Sequence, residues 1–249
     1  MRAMILAAGL GTRLRPLTEN RPKALVEVAG RTLLEITLAR LRSFGIADVI
    51  VNTHHFADMV REYLESNKNF GMNIAISDEE VLLDTGGGLK KAAYFFLEQS
   101  GNSEEPFLLH NVDVISTIDF GQMLQFHTEH HALATLAVQD RKTSRYLLFQ
   151  QDSELCGRRS ALDSSIELVW PSQNVQELAF CGIHIISPRF LSMLTEEGAF
   201  SIIASYLRLS ALGQKVIGFR SDKYYWRDLG TPENVARAAE DLRQRISIP

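Results

Sequence analysis

Short apolar runs alternate with helical repeats along the chain up to residue 110. Met1–Ala7 predicts a strand, and apolar residues between Leu33 and Phe44 recur at the three- and four-residue spacing of a helix. The alternation continues with strands at Asp48–Asn52, Met72–Ser77 and Pro106–His110 and with helices at Phe56–Asn67 and Gly87–Gln99. Such alternation indicates βαβ units around a mostly parallel sheet.

The pattern after Asp113 is less regular. Antiparallel strands are predicted at Ala132–Gln139 and Arg145–Gln150, and the polar stretch 151–177 predicts hairpins or an insertion over the sheet. The other periodic segments predict strands at Phe180–Ile186 and Val216–Arg220, and helices at Asp119–His130, Phe200–Leu212 and Pro232–Arg245, the last capped by Thr231.

These elements predict one α/β domain over residues 1–249. We expect a Rossmann-like, mixed and mostly parallel sheet flanked by helices, with a β-rich excursion at about 132–180. Ligands of such sheets bind at the carboxyl ends of the strands. The site is therefore expected where the excursion covers that edge, in the loops that follow Ala7, Asn52 and Leu109.

Composition excludes several kinds of partner. The 249 residues are 45% hydrophobic and carry a formal net charge of −4, so no overall positive field attracts nucleic acid or anionic lipid. The apolar start is too short for a signal peptide, and no later run is long enough to span a membrane. Two cysteines, Cys156 and Cys181, lack a metal or redox spacing and suit a reducing compartment, so we expect a cytoplasmic protein.

The loop after the first strand suits a phosphate. Gly9 and Gly11 leave backbone amides open to close approach by an anion. Leu14 stands where a dinucleotide fingerprint needs its third glycine, and Lys23 lies too far along for a P-loop. The loop instead carries several cations, which are Arg13, Arg15, Arg21 and Lys23. A rigid, cationic, glycine-bearing loop of this kind predicts binding of a polyphosphate.

Two carboxylates complement this loop. Asp113 follows an apolar strand and Asp228 follows the aromatic cluster 224–226. Either one alone could be a helix cap or an ion-pair partner. Together with a phosphate loop they could hold Mg²⁺, which prefers oxygen ligands and bridges substrate phosphates.

Other polar clusters predict surface features. His127, His130 and His131 are expected on a solvated helix face. The basic run 141–145 predicts an exposed turn, with contact to a phosphate or sugar as the alternative.

Several motifs together resemble one enzyme family. Residues 6–24, LAAGLGTRLRPLTENRPKA, are similar to the N-terminal signature of the sugar-1-phosphate nucleotidylyltransferases. LDTGGG at 83–88 resembles their second glycine-rich segment, FCGIH at 180–184 their sugar-side strand, and WRDLGT at 226–231 their W-x-D-x-G-T element. The resemblance covers nearly the whole chain. Length and layout are most similar to the N-acetylmuramate-1-phosphate uridylyltransferase and sugar-1-phosphate guanylyltransferase types.

The resemblance implies a Mg²⁺-dependent enzyme that condenses an NTP (UTP, GTP or dTTP) with a sugar 1-phosphate, giving an NDP-sugar and pyrophosphate. The residues that it assigns to the nucleotide are Ala7, Ala8, Gly9, Gly11, Thr12, Arg13, Asn52, Thr85, Gly86 and Gly87. Those assigned to the sugar are Asn111, Cys181 and Gly182. The expected metal ligands are Asp113 and Asp228, and the expected catalytic residues are Arg13, Lys23 and Asp113.

Two departures from the family pattern leave alternatives open. Ala24 replaces a common proline, and Val112 stands where many members have the glycine that precedes the metal aspartate. A branched side chain there predicts a reshaped pocket or reduced activity.

Three alternative functions stay open. They are a choline-phosphate cytidylyltransferase type, a non-catalytic protein that binds a nucleotide or an NDP-sugar, and an NAD-binding protein.

Overall fold

The computed structural model describes residues 1–97, 104–171 and 174–244. Its strands, β1 to β14 in chain order, are Ala3–Leu6, Glu27–Val28, Arg31–Thr32, Asp48–Thr53, Asn73–Asp78, Phe107–Asn111, Val114–Ser116, Ala134–Gln139, Arg145–Phe149, Leu155–Ser160, Ile166–Leu168, Gln176–Ile186, Val216–Arg220 and Trp226–Asp228. Its α-helices, α1 to α8, are Leu33–Ser43, Ala57–Ser66, Asp84–Lys91, Ala93–Leu97, Phe120–Glu129, Arg189–Ser192, Ile202–Ala211 and Pro232–Gln244. Gln99 and Arg245, the predicted ends of two helices, lie outside the described residues.

The first half of the sheet is parallel, as predicted. Strand β1 pairs with β4 on one side and with β6 on the other, and β5 pairs with β4. Strands β1, β4 and β6 are rich in fully buried apolar residues because helices cover both faces. The register brings Leu6 opposite both Asn52 and Asn111, so three strands end side by side at the carboxyl edge.

The second half is mostly antiparallel. Strand β12 pairs with β6, β8 and β9 in antiparallel fashion, and β13 joins β8 in parallel. Within the polar stretch 151–177, β10 and β11 form a hairpin that pairs with β9 and so extends the sheet sideways. The result is a mixed sheet in the order β11-β10-β9-β12-β6-β1-β4-β5, with β8 and β13 branching from β12. None of the described helices is both long and apolar enough to cross a membrane.

Local signals set the helix boundaries. Thr32 caps α1 by accepting a hydrogen bond from the Glu35 backbone N–H at 3.1 Å. Thr231 caps α8 as predicted, by accepting from the Asn234 N–H at 3.3 Å. The single helix predicted at Gly87–Gln99 is wrong, because α3 starts earlier, at Asp84, and the helical path breaks at Ala92.

His127 is buried, and the prediction of a solvated position is wrong. It shares one face of α5 with Phe120 and Met123, and this face packs on the sheet. Its Nδ1 lies 2.9 Å from Thr135 Oγ1 and its Nε2 lies 3.0 Å from Ser187 Oγ. Two hydroxyl partners satisfy the ring, so the histidine is accommodated in the core.

Burial makes three histidines sensitive to acid. It lowers the pKa of His110 and His127 to about 4 and that of His184 to about 3. An unfolded histidine has a pKa of about 6.5, so the unfolded chain binds protons first as the pH falls. The stability that these neutral rings contribute is therefore complete above about pH 6.5 and is lost progressively as the pH falls toward about 4.

We expect the free energy of unfolding to fall between pH 7 and pH 5, with a slope of up to about 1.4 kcal/mol per pH unit for each buried histidine. Urea titrations at several pH values measure this slope. His127→Gln should reduce the slope, whereas His131→Gln, at an exposed position, should leave it unchanged. A stability that is constant from pH 7 to pH 5 would contradict the buried neutral rings.

Candidate functional site

Two adjoining cavities open at the carboxyl ends of the strands. The smaller one, of about 400 Å³, is lined by Gly9, Asp113 and neighbouring residues. The larger one, of about 1250 Å³, is lined by Gly182, Asp228 and several arginines. Asn111, the last residue of β6, lines both cavities. The end of β6 is therefore the point where the two meet.

The glycine-rich loop is fixed in shape but leaves part of its backbone open. Gly11 has a φ of +64°, and a Cβ there would lie 2.9 Å from the Thr18 methyl carbon, so this position requires glycine. The Thr18 hydroxyl donates to the Gly11 carbonyl at 2.8 Å. By contrast, a Cβ at Gly9 would meet nothing within 4 Å. Thr12 and Arg13 follow on an exposed 3₁₀ turn. The loop can therefore receive a ligand at Gly9.

Asn52 connects this loop to the next one. Its Oδ1 accepts from the Ala7 backbone N–H at 2.7 Å, and its Nδ2 donates to Glu79 Oε1 at 2.6 Å. Glu79 in turn accepts from the Leu83 N–H at 2.8 Å. Asn52 lines the smaller cavity, but its amide is engaged within the protein. Its observed role is to position the two loops on either side of that cavity. Ala8, beside Ala7, also lines this cavity.

Glu79 was missed by the sequence interpretation. It is 4% exposed and lines the smaller cavity. The available signal was its place directly after a strand that ends at the carboxyl edge, the same signal that singled out Asp113.

The second glycine-rich segment forms the start of α3. Thr85 lines the smaller cavity, and its hydroxyl accepts from the Ile202 N–H at 3.0 Å. Gly86 and Gly87 are buried and lie outside the cavity lining. A Cβ at Gly86 would lie 2.2 Å from the Phe200 ring, and one at Gly87 would lie 2.5 Å from the Gly198 carbonyl oxygen. These glycines let α3 pack closely on residues 198–200, and they support the cavity from behind.

Lys23 and Asp113 form an ion pair across the smaller cavity. The Lys23 ammonium donates to Asp113 Oδ2, and the two side chains are 14% and 13% exposed. Both residues line the cavity. The pair connects the end of the glycine-rich loop to the end of β6, and it places a cation and an anion at the junction of the two cavities.

A short antiparallel ribbon brings the two predicted metal ligands together. Strand β14 pairs with β7 so that Asp228 lies opposite Val114, and the Leu229 N–H donates to the Asp113 carbonyl oxygen at 2.8 Å. Asp113 and Asp228 are thus neighbours across two paired strands. The described residues contain no group of three or more His, Cys, Asp or Glu side chains that could hold a metal. Two carboxylates fit Mg²⁺, which takes its other ligands from water and phosphates.

Arg13 reaches the same place from the glycine-rich loop. A Cβ at Gly230 would lie 2.8 Å from both Arg13 Nη2 and Asp228 Oδ1. The Gly230 N–H donates to Asp228 Oδ1 at 2.9 Å, which fixes the carboxylate. Gly230 therefore allows the guanidinium and the carboxylate to approach each other over its bare Cα.

The three predicted sugar-side residues, Asn111, Cys181 and Gly182, line the larger cavity with different chemical groups. Gly182 has a φ of +72°, and a Cβ there would lie 2.8 Å from Asn111 Nδ2, so these two residues are in close contact. Asn111 Oδ1 is buried without a hydrogen-bond partner among the described residues. Cys181 is fully buried, and burial raises its pKa to about 11. Its carbonyl oxygen accepts from Trp226 Nε1 at 2.7 Å. Cys181 thus contributes its backbone, and its thiol is unreactive.

Val112 occupies the edge of the smaller cavity. Its side chain is 2% exposed and belongs to the hydrophobic cluster under the sheet, yet it also lines the cavity. The branched side chain therefore packs against the core and still leaves a cavity beside Asp113.

The larger cavity has a basic lining, of which the sequence interpretation offered only the run 141–145, as an alternative. Its arginines are Arg13, Arg141, Arg145, Arg158, Arg159 and Arg227. The run 141–145 was predicted as an exposed turn, and Arg145 is indeed exposed. Arg141, however, is half-buried with its guanidinium 3.7 Å over the Trp226 ring.

Comparison with known proteins identifies the family. The family model described as "Nucleotidyl transferase" matches residues 2–245, and the chain belongs to this family. The chain is 34% identical to the N-acetylmuramate alpha-1-phosphate uridylyltransferase of Caulobacter vibrioides, over 97% of this chain and 96% of that protein. It is 32% identical to mannose-1-phosphate guanyltransferase beta-B of Xenopus laevis, over 94% of this chain and 62% of that longer protein.

Solved structures share the fold. HddC from Yersinia pseudotuberculosis complexed with GMP-PN superposes with a TM-score of 0.76 at 20% identity, over 97% of this chain and 99% of that one. A putative glucose-1-phosphate thymidylyltransferase from Bacillus anthracis superposes with a TM-score of 0.79 at 19% identity, over 100% of this chain and 97% of that one. These matches confirm the predicted fold class. The family match confirms a nucleotidyltransferase and supports it over the cytidylyltransferase, regulator and NAD-binding alternatives.

Two glycine substitutions separate ligand binding from packing. Gly9→Ala adds a methyl group in open space, so we expect the urea unfolding curve to stay unchanged. The same methyl group lies where a phosphate must approach the backbone, so NTP binding measured by calorimetry should be roughly tenfold weaker. Gly87→Ala places its Cβ 2.5 Å from a backbone oxygen and should lower the free energy of unfolding by about 1–3 kcal/mol. The reverse pattern, with Gly9→Ala destabilised and binding normally, would contradict this assignment.

Proposed function

We propose that this enzyme condenses an NTP with a sugar 1-phosphate and releases pyrophosphate and an NDP-sugar. One observation carries the proposal: Lys23, Asp113, Asp228 and Arg13 converge where two cavities meet. The smaller cavity, beside the glycine-rich loop, suits the nucleotide, which is UTP, GTP or dTTP. The larger cavity suits the sugar 1-phosphate, whose phosphate would lie at the junction.

The reaction requires no general base. A phosphate monoester has a second pKa of about 6, so the sugar phosphate is mostly dianionic at neutral pH and can attack the α-phosphorus directly. The barrier comes from bringing two anions together. Two unit charges 4 Å apart repel by about 1 kcal/mol in water and by about 4 kcal/mol at an effective dielectric constant of 20. Catalysis therefore consists of neutralising and aligning these anions.

Arg13 and Lys23 have suitable places for this task. Arg13 approaches Asp228 over Gly230, on the side of the larger cavity. Lys23 donates one of its three N–H groups to Asp113, which leaves two for phosphate oxygens. Lys23 thereby holds a cation at the junction, and Arg13 holds a second one beside Asp228, on the side of the larger cavity.

We further propose that Asp113 and Asp228 hold Mg²⁺. Their placement across the β7–β14 ribbon and the oxygen donors that they offer support this assignment. Bound Mg²⁺ would supply additional positive charge to the phosphates. We also propose a cytoplasmic location, where nucleoside triphosphates are available; both cysteines are free and buried, which agrees with a reducing compartment.

Pyrophosphate release from a panel of NTPs and sugar 1-phosphates tests the proposal. At least one pair should turn over, and EDTA should abolish this activity until Mg²⁺ is restored. Asp113→Asn, Asp228→Asn and Lys23→Ala should each lower kcat/KM by about 10²–10³-fold. The two aspartate variants lose a proposed Mg²⁺ ligand, and the lysine variant loses a cation that acts on the reacting phosphates. His130→Ala, at the C-terminal cap of α5 and outside the lining of both cavities, is the control and should change little.

Two results would contradict the proposal. Absence of turnover with every pair, despite tight NTP binding, would indicate a nucleotide-binding protein that is not an enzyme. Equal activity of all four variants would show that the reaction takes place elsewhere. Circular dichroism of each variant checks that any loss of activity comes from a folded protein.

A further inference from the structure

The larger cavity carries more positive charge than a sugar 1-phosphate requires. Six arginines line it, against two carboxylates, Glu167 and Asp228. The protein as a whole has a net charge of −4, so this concentration of cations is local. A cavity lined by one sign of charge attracts ligands of the opposite sign.

Three of these arginines are neutralised within the protein. The ion pairs are Arg158–Glu167, Arg159–Glu177 and Arg227–Asp241. Arg13, Arg141 and Arg145 have no carboxylate partner in ion-pair range among the described residues. Arg13 serves the phosphates in the proposed reaction. Among the residues that the structure describes, Arg141 and Arg145 are therefore the two remaining arginines of this cavity without a carboxylate partner.

Arg141 is fixed by two contacts in the wall of the larger cavity. Its Nη2 donates to the Phe180 carbonyl oxygen at 2.8 Å, and its guanidinium stacks 3.7 Å over the Trp226 ring. Trp226 and Asp228 are two residues apart on β14, so their side chains leave the strand on the same face, roughly 6–7 Å apart. Arg141 therefore stacks on a side chain that shares its face of β14 with Asp228, and all three residues line the same cavity.

The environment of Arg141 favours binding of an anion. The side chain is half-buried, and its Nε is buried without a hydrogen-bond partner among the described residues. Partial burial of a guanidinium without a counter-ion is unfavourable unless a ligand supplies one. Arg145, four positions further along the same segment, is exposed and lines the same cavity. A planar guanidinium fork matches the oxygens of a carboxylate or a phosphate.

We propose that the sugar 1-phosphate used by this enzyme carries a second oxyanion, a carboxylate or a further phosphate on the sugar, and that Arg141 and Arg145 bind it. The inference rests on the proposed function and narrows its substrate class from sugar 1-phosphates in general to acidic ones. Arg141 orients the oxyanion against Trp226, and Arg145 closes over it from the mouth of the cavity.

Calorimetric binding of matched sugar phosphates tests this inference independently of turnover. One pair is glucuronic acid 1-phosphate and glucose 1-phosphate, a second is N-acetylmuramic acid 1-phosphate and N-acetylglucosamine 1-phosphate, and glucose 1,6-bisphosphate represents a second phosphate. In at least one comparison the more anionic ligand should bind tenfold or more tightly than its neutral counterpart, because a charge-assisted hydrogen bond contributes about that factor or more.

Arg145→Gln should remove most of this preference and leave the affinity for the neutral counterpart unchanged. Its side chain is exposed, so the variant should fold normally. Arg42→Gln removes the same charge from the end of α1, away from both cavities, and should change neither affinity. Arg141→Lys keeps the charge but loses the planar fork, and it should weaken only the more anionic ligand.

The inference fails if the more anionic ligand is bound no more tightly in any comparison, if none of these ligands binds, or if Arg145→Gln weakens both members of a pair equally. These results are distinct from a failure of the proposed function. If the proposed function failed, pyrophosphate release would be absent with every substrate pair. The preference for the more anionic ligand and its dependence on Arg145 would still be measured.

Discussion

Backbone pairing between two three-residue strands, β7 and β14, is the contact on which the site depends. It places Asp228 next to Asp113 by fixing Asp228 opposite Val114 and by joining the Leu229 N–H to the Asp113 carbonyl oxygen. The Lys23–Asp113 ion pair then ties the glycine-rich loop to the same point. Residues from the beginning, middle and end of the chain thereby meet at one edge of the sheet. Without this ribbon the two carboxylates would belong to unrelated loops.

The distribution of charge around this point explains the division into two cavities. On one side, the open backbone at Gly9 and the Lys23 ammonium suit a nucleotide and its phosphates. On the other side, arginines surround a larger space that is bordered by the hairpin β10–β11 and by Trp226. Each side offers positive charge to an anion, and the carboxylates lie between them. Repulsion between the two substrates is thus opposed where they would meet.

Sequence patterns predicted the parallel half of the fold because its strands are continuous apolar runs separated by amphipathic helices. They also singled out Arg13, Lys23, Asp113 and Asp228, which the structure brings close together, since motif residues keep fixed places relative to strand ends. The ribbon was not predicted, because three-residue strands have no periodicity of their own. His127 was misplaced because hydroxyl partners from other elements satisfy its ring. Most of the basic cavity was missed because its arginines come from segments that lie far apart in the sequence, at 13, 141–145, 158–159 and 227.

A crystal structure of the protein with a non-hydrolysable NTP and Mg²⁺ would show where the phosphates lie relative to the ribbon. We expect triphosphate oxygens within hydrogen-bonding distance of the backbone at Gly9 and of Arg13, with metal density shared between the carboxylates of Asp113 and Asp228. A triphosphate bound away from the glycine-rich loop, or a metal that contacts neither carboxylate, would contradict it.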